Sequence, residues 1–432
     1  MAVLAAPQVI CCAALAVAAL ASAAHASQYQ VLYTFHGFPA GDGANPHAAP
    51  IMSSNGNLYG TTEAGGSSGC GVVYQLHKSR NGTWKETILY IFTCGDDGAY
   101  ADGGVIMDKA GNLYGGTSLG GTGACYLFGT RIGCGAVYKL SPDKQGTWVE
   151  TTLYSWPAPS IDYDGPLASL TLDASGTLYG TTSSDNPCTT NWGSVFQIQP
   201  ADGNWKERDI HRFCGQGYGG RRPGYGALVF DPAGNLYGTA SEGGRGTDQG
   251  VVFKLSPSGA GKWTFTKIHQ FTQGEGGTLE GGLTLDAAGN LYGAELYGGL
   301  SNFGAIFELS PRASGKWHES VLYTFIGGGA DGQNPWQNPV FDSGGNLFGT
   351  TQQGGEAQYC VNCGVIYELV PQGGGQWSES VVYSFGSQPN IADGSDPIGG
   401  LTRGDDGSFY GTTYQSGDPS CGGCGVVYQF TP

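Results

Sequence analysis

The chain has 432 residues, a formal net charge of -16 and only 12% charged residues, with 78 glycines. An acidic chain without a Lys/Arg run has no electrostatic footprint for nucleic acid, so that class of partner is excluded. The length exceeds one ordinary domain, and so much glycine suits short strands and tight turns rather than long helices, pointing to several domains or a ring of repeats.

Residues 1–26 stand apart. "VICCAALAVAALASAAHA" is apolar and ends in Ala24-His25-Ala26, a small-residue cleavage pattern before Ser27. It reads as a signal peptide cleaved near Ala26, although no Lys or Arg precedes the apolar core. The expected destination is secreted, periplasmic or cell-surface, with no transmembrane segment in the mature chain. Cys11 and Cys12 leave with the signal, so ten of the 12 cysteines remain, an even number that reads as disulfides in an exported protein.

Residues 27–432 form the repeat region. "GNLYGTTEAGG" begins at Gly56, and near copies begin at Gly111, Gly176, Gly234, Gly289, Gly345 and Gly407. The key residues Leu58, Leu113, Leu178, Leu236, Leu291, Leu347 and Phe409 recur at spacings of 55 to 65. Each period reads as four strands. A short apolar stretch such as "GGLTL" comes first, then a turn such as "DAAGN" with Asp286 at its start. "NLYGTT" is the second strand, a segment like "GVVYQL" (Gly71–Leu76) the third, and one like "WKETILYIF" (Trp84–Phe92) the fourth. In the fourth, an aromatic follows the Trp by eight residues, from Trp84 to Phe92 and again in five later copies. Eight is even, which places both aromatics on one face of the strand.

The two ends complement each other. The last repeat stops at "GVVYQFTP", without a fourth strand, while the mature chain begins "SQYQVLYTF", which matches one. Closing a ring with that strand protects the sheet edges. The expected fold is all-β: a seven-bladed β-propeller of four-stranded blades, closed by the N-terminal strand completing the last blade. The repeated phrase is then architectural. Tyr59, Tyr114, Tyr179, Tyr237, Tyr292, Phe348 and Tyr410 supply contact area between blades, and the glycine after each allows close approach.

The pattern D-G-x-x-P…D-x-x-G-N-L-Y-G-T-T-x-x-G-G…G-V-V-Y-x-L resembles the GloVer (Gloeo/Verruco) tandem-repeat family of exported bacterial proteins. Its lead-in is "DGANP" from Asp42, "DGP" from Asp164, "DGQNP" from Asp331 and "DGSDP" from Asp393. The resemblance covers nearly all of the mature chain and implies a repeat protein of the cell exterior. It brings no defined activity and no functional residues. "D-x-x-G-N-L-Y" is also similar to NHL-type propeller repeats, an analogy of fold alone.

Strand order puts the second-to-third loops and the interblade lead-ins on one face, and loops on a rigid scaffold are where binding sites form. Cys70–Cys94, Cys188–Cys214 and Cys125–Cys134 are the expected disulfides. Cys360 with Cys363 and Cys421 with Cys424 form C-x-x-C pairs, read as oxidised loop pins rather than metal ligands, although a zinc site is the sharper alternative. The lead-in acids Asp42, Asp97, Asp164, Glu275, Asp331 and Asp393 read first as turns that cap their own backbone, and second as a carboxylate ring for a cation or acid–base chemistry. No cofactor is expected; a calcium ion is what such a ring would suit. His36 and His47 share a loop without an obvious partner. Departures from the repeat carry more information. Blade four has "GQGYGGRRPGYG" with Arg221 and Arg222, blade five brings Glu280 and puts Glu295 and Tyr297 where other copies carry Thr, and blade six adds Trp336. These residues are the expected ligand-binding groove, suited to a sugar or acidic sugar. The leading function is a monomeric secreted binder of a glycan or extracellular protein; the alternative is a carbohydrate-active hydrolase or lyase at the same place.

Overall fold

The structure is a computed structural model that describes residues 27–38, 41–127, 130–157, 165–183, 192–214, 219–244, 249–272, 276–329 and 331–432. The leader read from residues 1–26 lies outside the described residues. Seven four-stranded sheets form the blades of a propeller. In blade one, Ile51–Met52, Leu58–Thr62, Val72–Lys78 and Trp84–Ile91 run from the axis outward. Only two short 3-10 turns, Pro389–Ile391 and Pro419–Cys421, interrupt the β structure among the described residues.

The ring closes through the chain ends. Gln28–Thr34 pairs antiparallel with Val426–Thr431, from Gln28 opposite Thr431 to Thr34 opposite Val426, and becomes the outermost strand of blade seven. The seam is packed like every other interface. The last aromatic of each fourth strand meets the third-strand aromatic of the next blade at centroid distances of 5.0 to 5.4 Å. Phe35 on Tyr74 and Phe385 on Tyr428 make that contact on either side of the closing blade, at 5.2 and 5.4 Å.

The motif letters now have separate physical duties. Gly60 lies opposite Tyr74 in the ladder, and a Cβ at Gly60 would run into that tyrosine ring. The equivalent glycine faces the equivalent aromatic in every blade, down to Gly411 opposite Tyr428. The turn aspartate binds the whole phrase that follows it. Asp231 accepts hydrogen bonds from Ala233 N and Asn235 N at 2.9 Å, Asn235 Nδ2 at 2.6 Å and Tyr237 Oη at 3.0 Å. Asp108 and Asp286 repeat the set. The first Thr of "GTT" reaches the next blade, as Thr61 Oγ1 does to Gly103 O at 3.0 Å and Thr239 Oγ1 to Gly281 O at 2.8 Å. The second Thr closes its own loop: Thr62 Oγ1 donates to Ala64 O at 2.8 Å and accepts from Val72 N at 3.2 Å.

The fourth strand departs from its even ruler. Trp84 packs toward blade seven, beside Met52 and Tyr410, whereas Phe92 packs toward blade two, beside Tyr138. A β-bulge lies between them: Tyr90 pairs with Val73 and Ile88 with Tyr74, which leaves Leu89 as the extra residue. One added residue reverses the facing parity of everything beyond it. The Trp therefore serves one neighbour and the Phe the other.

At the outer rim, each fourth strand also touches the next. Tyr33 Oη donates to Glu86 Oε2 at 3.1 Å and to Asp42 Oδ2 at 2.8 Å. Where the carboxylate is replaced, the partner stacks instead: His211 on Phe265 at 3.9 Å and Tyr383 on Tyr29 at 4.0 Å.

Candidate functional site

The lead-ins descend to the axis on the loop face, tied to the second-to-third loops of their own blades. Gly43–Ala44 pairs with Ala64–Gly65, and Gly332–Gln333 pairs with Gln353–Gly354. Near the axis the lead-ins are small because their backbones touch. A Cβ on Gly103 would meet the Ala168 backbone, one on Gly226 would meet Gly281 and Gly282, and one on Gly399 would meet Ala48 and Ala49.

Above this neck, large side chains converge. His47 follows the lead-in Pro46 of blade one, and Trp336 follows Pro335 of blade six. His47 stacks on Tyr225 of blade four at 5.1 Å and meets Trp336 at 6.3 Å and Tyr414 of blade seven at 5.9 Å. Tyr225 and Trp336 are 6.0 Å apart. Blades one and four lie on opposite sides of the ring, so these rings meet over the axis and plug the mouth. Burial among them lowers the His47 imidazole to about 4, so it is neutral at neutral pH. Trp336 Nε1 is buried with no hydrogen-bond partner among the described residues.

Charged groups border the plug. Arg221 Nε lies 3.0 Å from Glu242 Oε2, and its guanidinium stands 4.3 Å over the Trp192 ring. Arg222 Nη1 donates to Glu242 Oε1 at 3.0 Å, with a left-handed backbone at φ 53°. Glu280 of blade five lies against Gly224, in the same lead-in as Arg222 and Tyr225. Burial pushes the Glu280 carboxyl up; Arg222 pulls it down and Glu242 adds to the rise. On the other side, Tyr414 Oη donates to Glu63 Oε2 at 2.8 Å. Burial, then Glu63, then the charges of Asp102 and Asp396 hold that hydroxyl well above its usual range.

The structure thus gathers Arg221, Arg222 and Glu280 and reaches Trp336 through Tyr225. It does not bring Glu295 to the groove. Glu295 occupies the place of the second Thr and is 0% exposed, because that position faces the interior beneath the lead-in. Tyr297 is 46% exposed and pairs with Gly277, in line with Ala64 rather than with a Thr. Sequence reasoning left His47 without a partner and passed over Tyr225 and Tyr414. The usable signal was position: His47 and Tyr225 are bulky residues one or two places beyond a lead-in proline, and Tyr414 follows the second Thr of its blade's repeated phrase.

The lead-in acids do not face one another as a ring. Asp42 accepts from His36 N at 3.0 Å and Tyr33 Oη at 2.8 Å, and Asp393 accepts from Tyr383 Oη at 2.6 Å and Ser387 N at 2.9 Å. Asp97 takes Tyr90 Oη at 2.9 Å and Thr93 N at 2.8 Å, and Asp331 takes Ile326 N at 2.6 Å. Each carboxylate caps its own loop at the outer rim. Asp164 and Glu275 lie outside the described residues. His36, read as unpartnered, has its Nδ1 3.1 Å from Asp42 Oδ2.

Cys70–Cys94 and Cys125–Cys134 are disulfides with Cα separations of 5.5 and 5.2 Å. Cys360–Cys363 and Cys421–Cys424 are bonded as well, each at 6.0 Å. Cys188, the expected partner of Cys214, lies outside the described residues. No group of three or more His, Cys, Asp or Glu side chains suited to a metal ion occurs among the described residues. No helix there is long and apolar enough to cross a membrane.

The model of the Gloeobacter/Verrucomicrobia repeat matches residues 19–185 and again residues 124–328. The chain belongs to that family. No curated protein matches the chain. Among solved structures, it is similar to PorZ of Porphyromonas gingivalis, an essential bacterial surface component of the type-IX secretion system. The TM-score is 0.51 at 14% identity, covering 90% of this chain and 47% of that one. A protein of unknown function from Dyadobacter fermentans matches with a TM-score of 0.43 and 14% identity, over 82% of this chain and 97% of that one. A family AA12 carbohydrate-active enzyme of Trichoderma reesei matches at 0.42 and 14%, over 94% and 96%. Likeness at this identity concerns the fold alone.

Proposed function

We propose that this family member is an exported binding protein that takes a saccharide at the plugged mouth on its loop face. The observation that carries the reading is the convergence of His47, Tyr225, Trp336 and Tyr414 from four separate blades, bordered by carboxylates and guanidiniums. Aromatic faces suit the C–H face of a sugar ring, and nearby charged groups suit its hydroxyls. The buried Trp336 N–H would gain a partner from a ligand oxygen, which relieves a desolvation cost. Disulfides on the loops fit an oxidising compartment, in keeping with residues 1–26 as a signal peptide. The mature chain would act as a monomer.

The test is a glycan array probed with wild type, Trp336→Ala and Tyr225→Ala, each checked for folding by circular dichroism. Wild type should bind a defined glycan set, and both variants should lose at least about tenfold in affinity, the ~1.4 kcal/mol of one stacking contact. Equal binding by all three would refute the site. A second reading, glycoside cleavage at the same mouth, draws on Glu280, whose buried carboxyl is pushed up as a general acid requires. Reducing ends released by wild type but not by Glu280→Gln would favour it.

A further inference from the structure

We infer that the saccharide taken at the mouth carries free amino groups, and that acidic sugars are refused. The inference rests on the binding reading above and adds the charge of the ligand. Two arginines in a chain poor in arginine first suggest a clamp for a carboxylate. The geometry removes that role. Both guanidiniums converge on the single carboxylate of Glu242, at 3.0 Å each, and Arg221 is also stacked on Trp192. A uronate would have to displace Glu242 from both and leave it unpaired.

Glu63 is not consumed in the same way. Among the described residues, the Glu63 carboxylate accepts from the neutral hydroxyl of Tyr414. Asp102 and Asp396 add their charge to the same hydroxyl, and Glu280 stands on the far side of the plug against Gly224. Other described cations on this face are also tied down, Arg131 by Asp96 at 3.3 Å and Arg212 by Asp209 at 2.5 Å. The result is an aromatic floor inside an excess of negative charge. Aromatic faces attract ammonium groups through the ring quadrupole, and carboxylates add a salt-dependent pull. His47, in the middle of the floor, contributes no opposing charge at neutral pH, because burial keeps it unprotonated.

The test uses three oligosaccharides of equal length near pH 6: glucosamine oligomers, their N-acetylated counterparts and oligogalacturonate, titrated calorimetrically. The glucosamine oligomer should bind at least about tenfold tighter than the acetylated one and weaken several-fold when salt rises from about 0.05 to 0.5 M, as screening requires. Glu63→Gln and Glu280→Gln should each reduce binding of the amine form by a larger factor than binding of the acetylated form. Equal affinity for the amine and acetylated forms, or preference for oligogalacturonate, would overturn the charge inference while the saccharide site stood. Binding of none of the three, with a glycan array also blank, would overturn the saccharide reading and this inference with it.

Discussion

The two faces of the propeller are built from the same repeat and obey different rules. On the turn face, Asp108, Asp231 and Asp286 hold the same hydrogen bonds to the residues two, four and six places on. The clefts there are lined by equivalent turns of neighbouring blades, Phe230–Ala233 beside Leu285–Gly289 among them. On the loop face, four blades bring four different residues toward the axis: His47, Tyr225, Glu280 and Trp336. The difference separates two origins of recurrence. A residue repeated around the ring answers a local need that every blade has. A residue that occurs once, and meets other singular residues at one place, answers a need of the whole ring.

The largest expected effect comes from the closing strand, which serves both faces. Removing residues 27–35 deletes the outer strand of blade seven and the contact of Phe35 on Tyr74. Equilibrium denaturation should show a loss of several kcal/mol, in proportion to the apolar area exposed. Should that chain fail to fold, Phe35→Ala reports on the same seam and should cost about 3–5 kcal/mol, since Phe35 is 0% exposed. Unchanged stability in Phe35→Ala would mean that ring closure contributes nothing.

A smaller effect separates the faces directly. Although burial works the other way, bonds from Asn235, Tyr237 and Ala233 hold the Asp231 carboxyl below its usual range. Asp231→Ala strands these donors and should cost about 2–4 kcal/mol, with saccharide binding untouched. Trp336→Ala should do the reverse, weakening binding at least about tenfold with less than about half that loss of stability. If Asp231→Ala weakened binding as strongly as Trp336→Ala, the division between architectural and functional faces would fail.

What the sequence disclosed follows the same division. The blade count, the strand order and the closing strand were legible because each is written many times or, at the termini, matches something written many times. Leu89 was not: a bulge adds one residue to a strand without any residue type that announces it, so Trp84 and Phe92 looked like partners on one face. The self-capping of Asp42 and Asp393 was legible from recurrence. The plug was not, since His47, Tyr225, Trp336 and Tyr414 are far apart in the chain and meet only once the ring has closed. Glu295 misled because its departure from Thr was visible and its inward direction was not.

The smallest effect concerns the rim, where the blades differ in chemistry while sharing geometry. Glu86, Glu207 and Glu379 stand against the preceding blade, and burial, chiefly, raises each carboxyl from 4.5 to about 7. Folding therefore takes up protons there: the contribution to stability is complete below about pH 4.5 and is lost as pH rises through 7. His47 and His211 act in the opposite sense. Burial lowers both from 6.5 to about 4, so their contribution is complete above 6.5 and is lost as pH falls through 4. The thermal midpoint should thus be highest at mildly acidic pH, about 5 to 6, and decline on either side. Solvent screening of the half-exposed glutamates keeps the amplitude modest. Glu86→Gln removes one titrating group and keeps a polar side chain beside Tyr33, so the decline between pH 5 and 8 should become shallower while the midpoint near pH 5 changes little. A wild-type midpoint that climbs steadily from pH 5 to 8, or a Glu86→Gln profile parallel to it, would show that the rim carboxyls are not protonated in the folded ring, and that the blades with Phe265 and Tyr29 in that place differ from the others in shape alone.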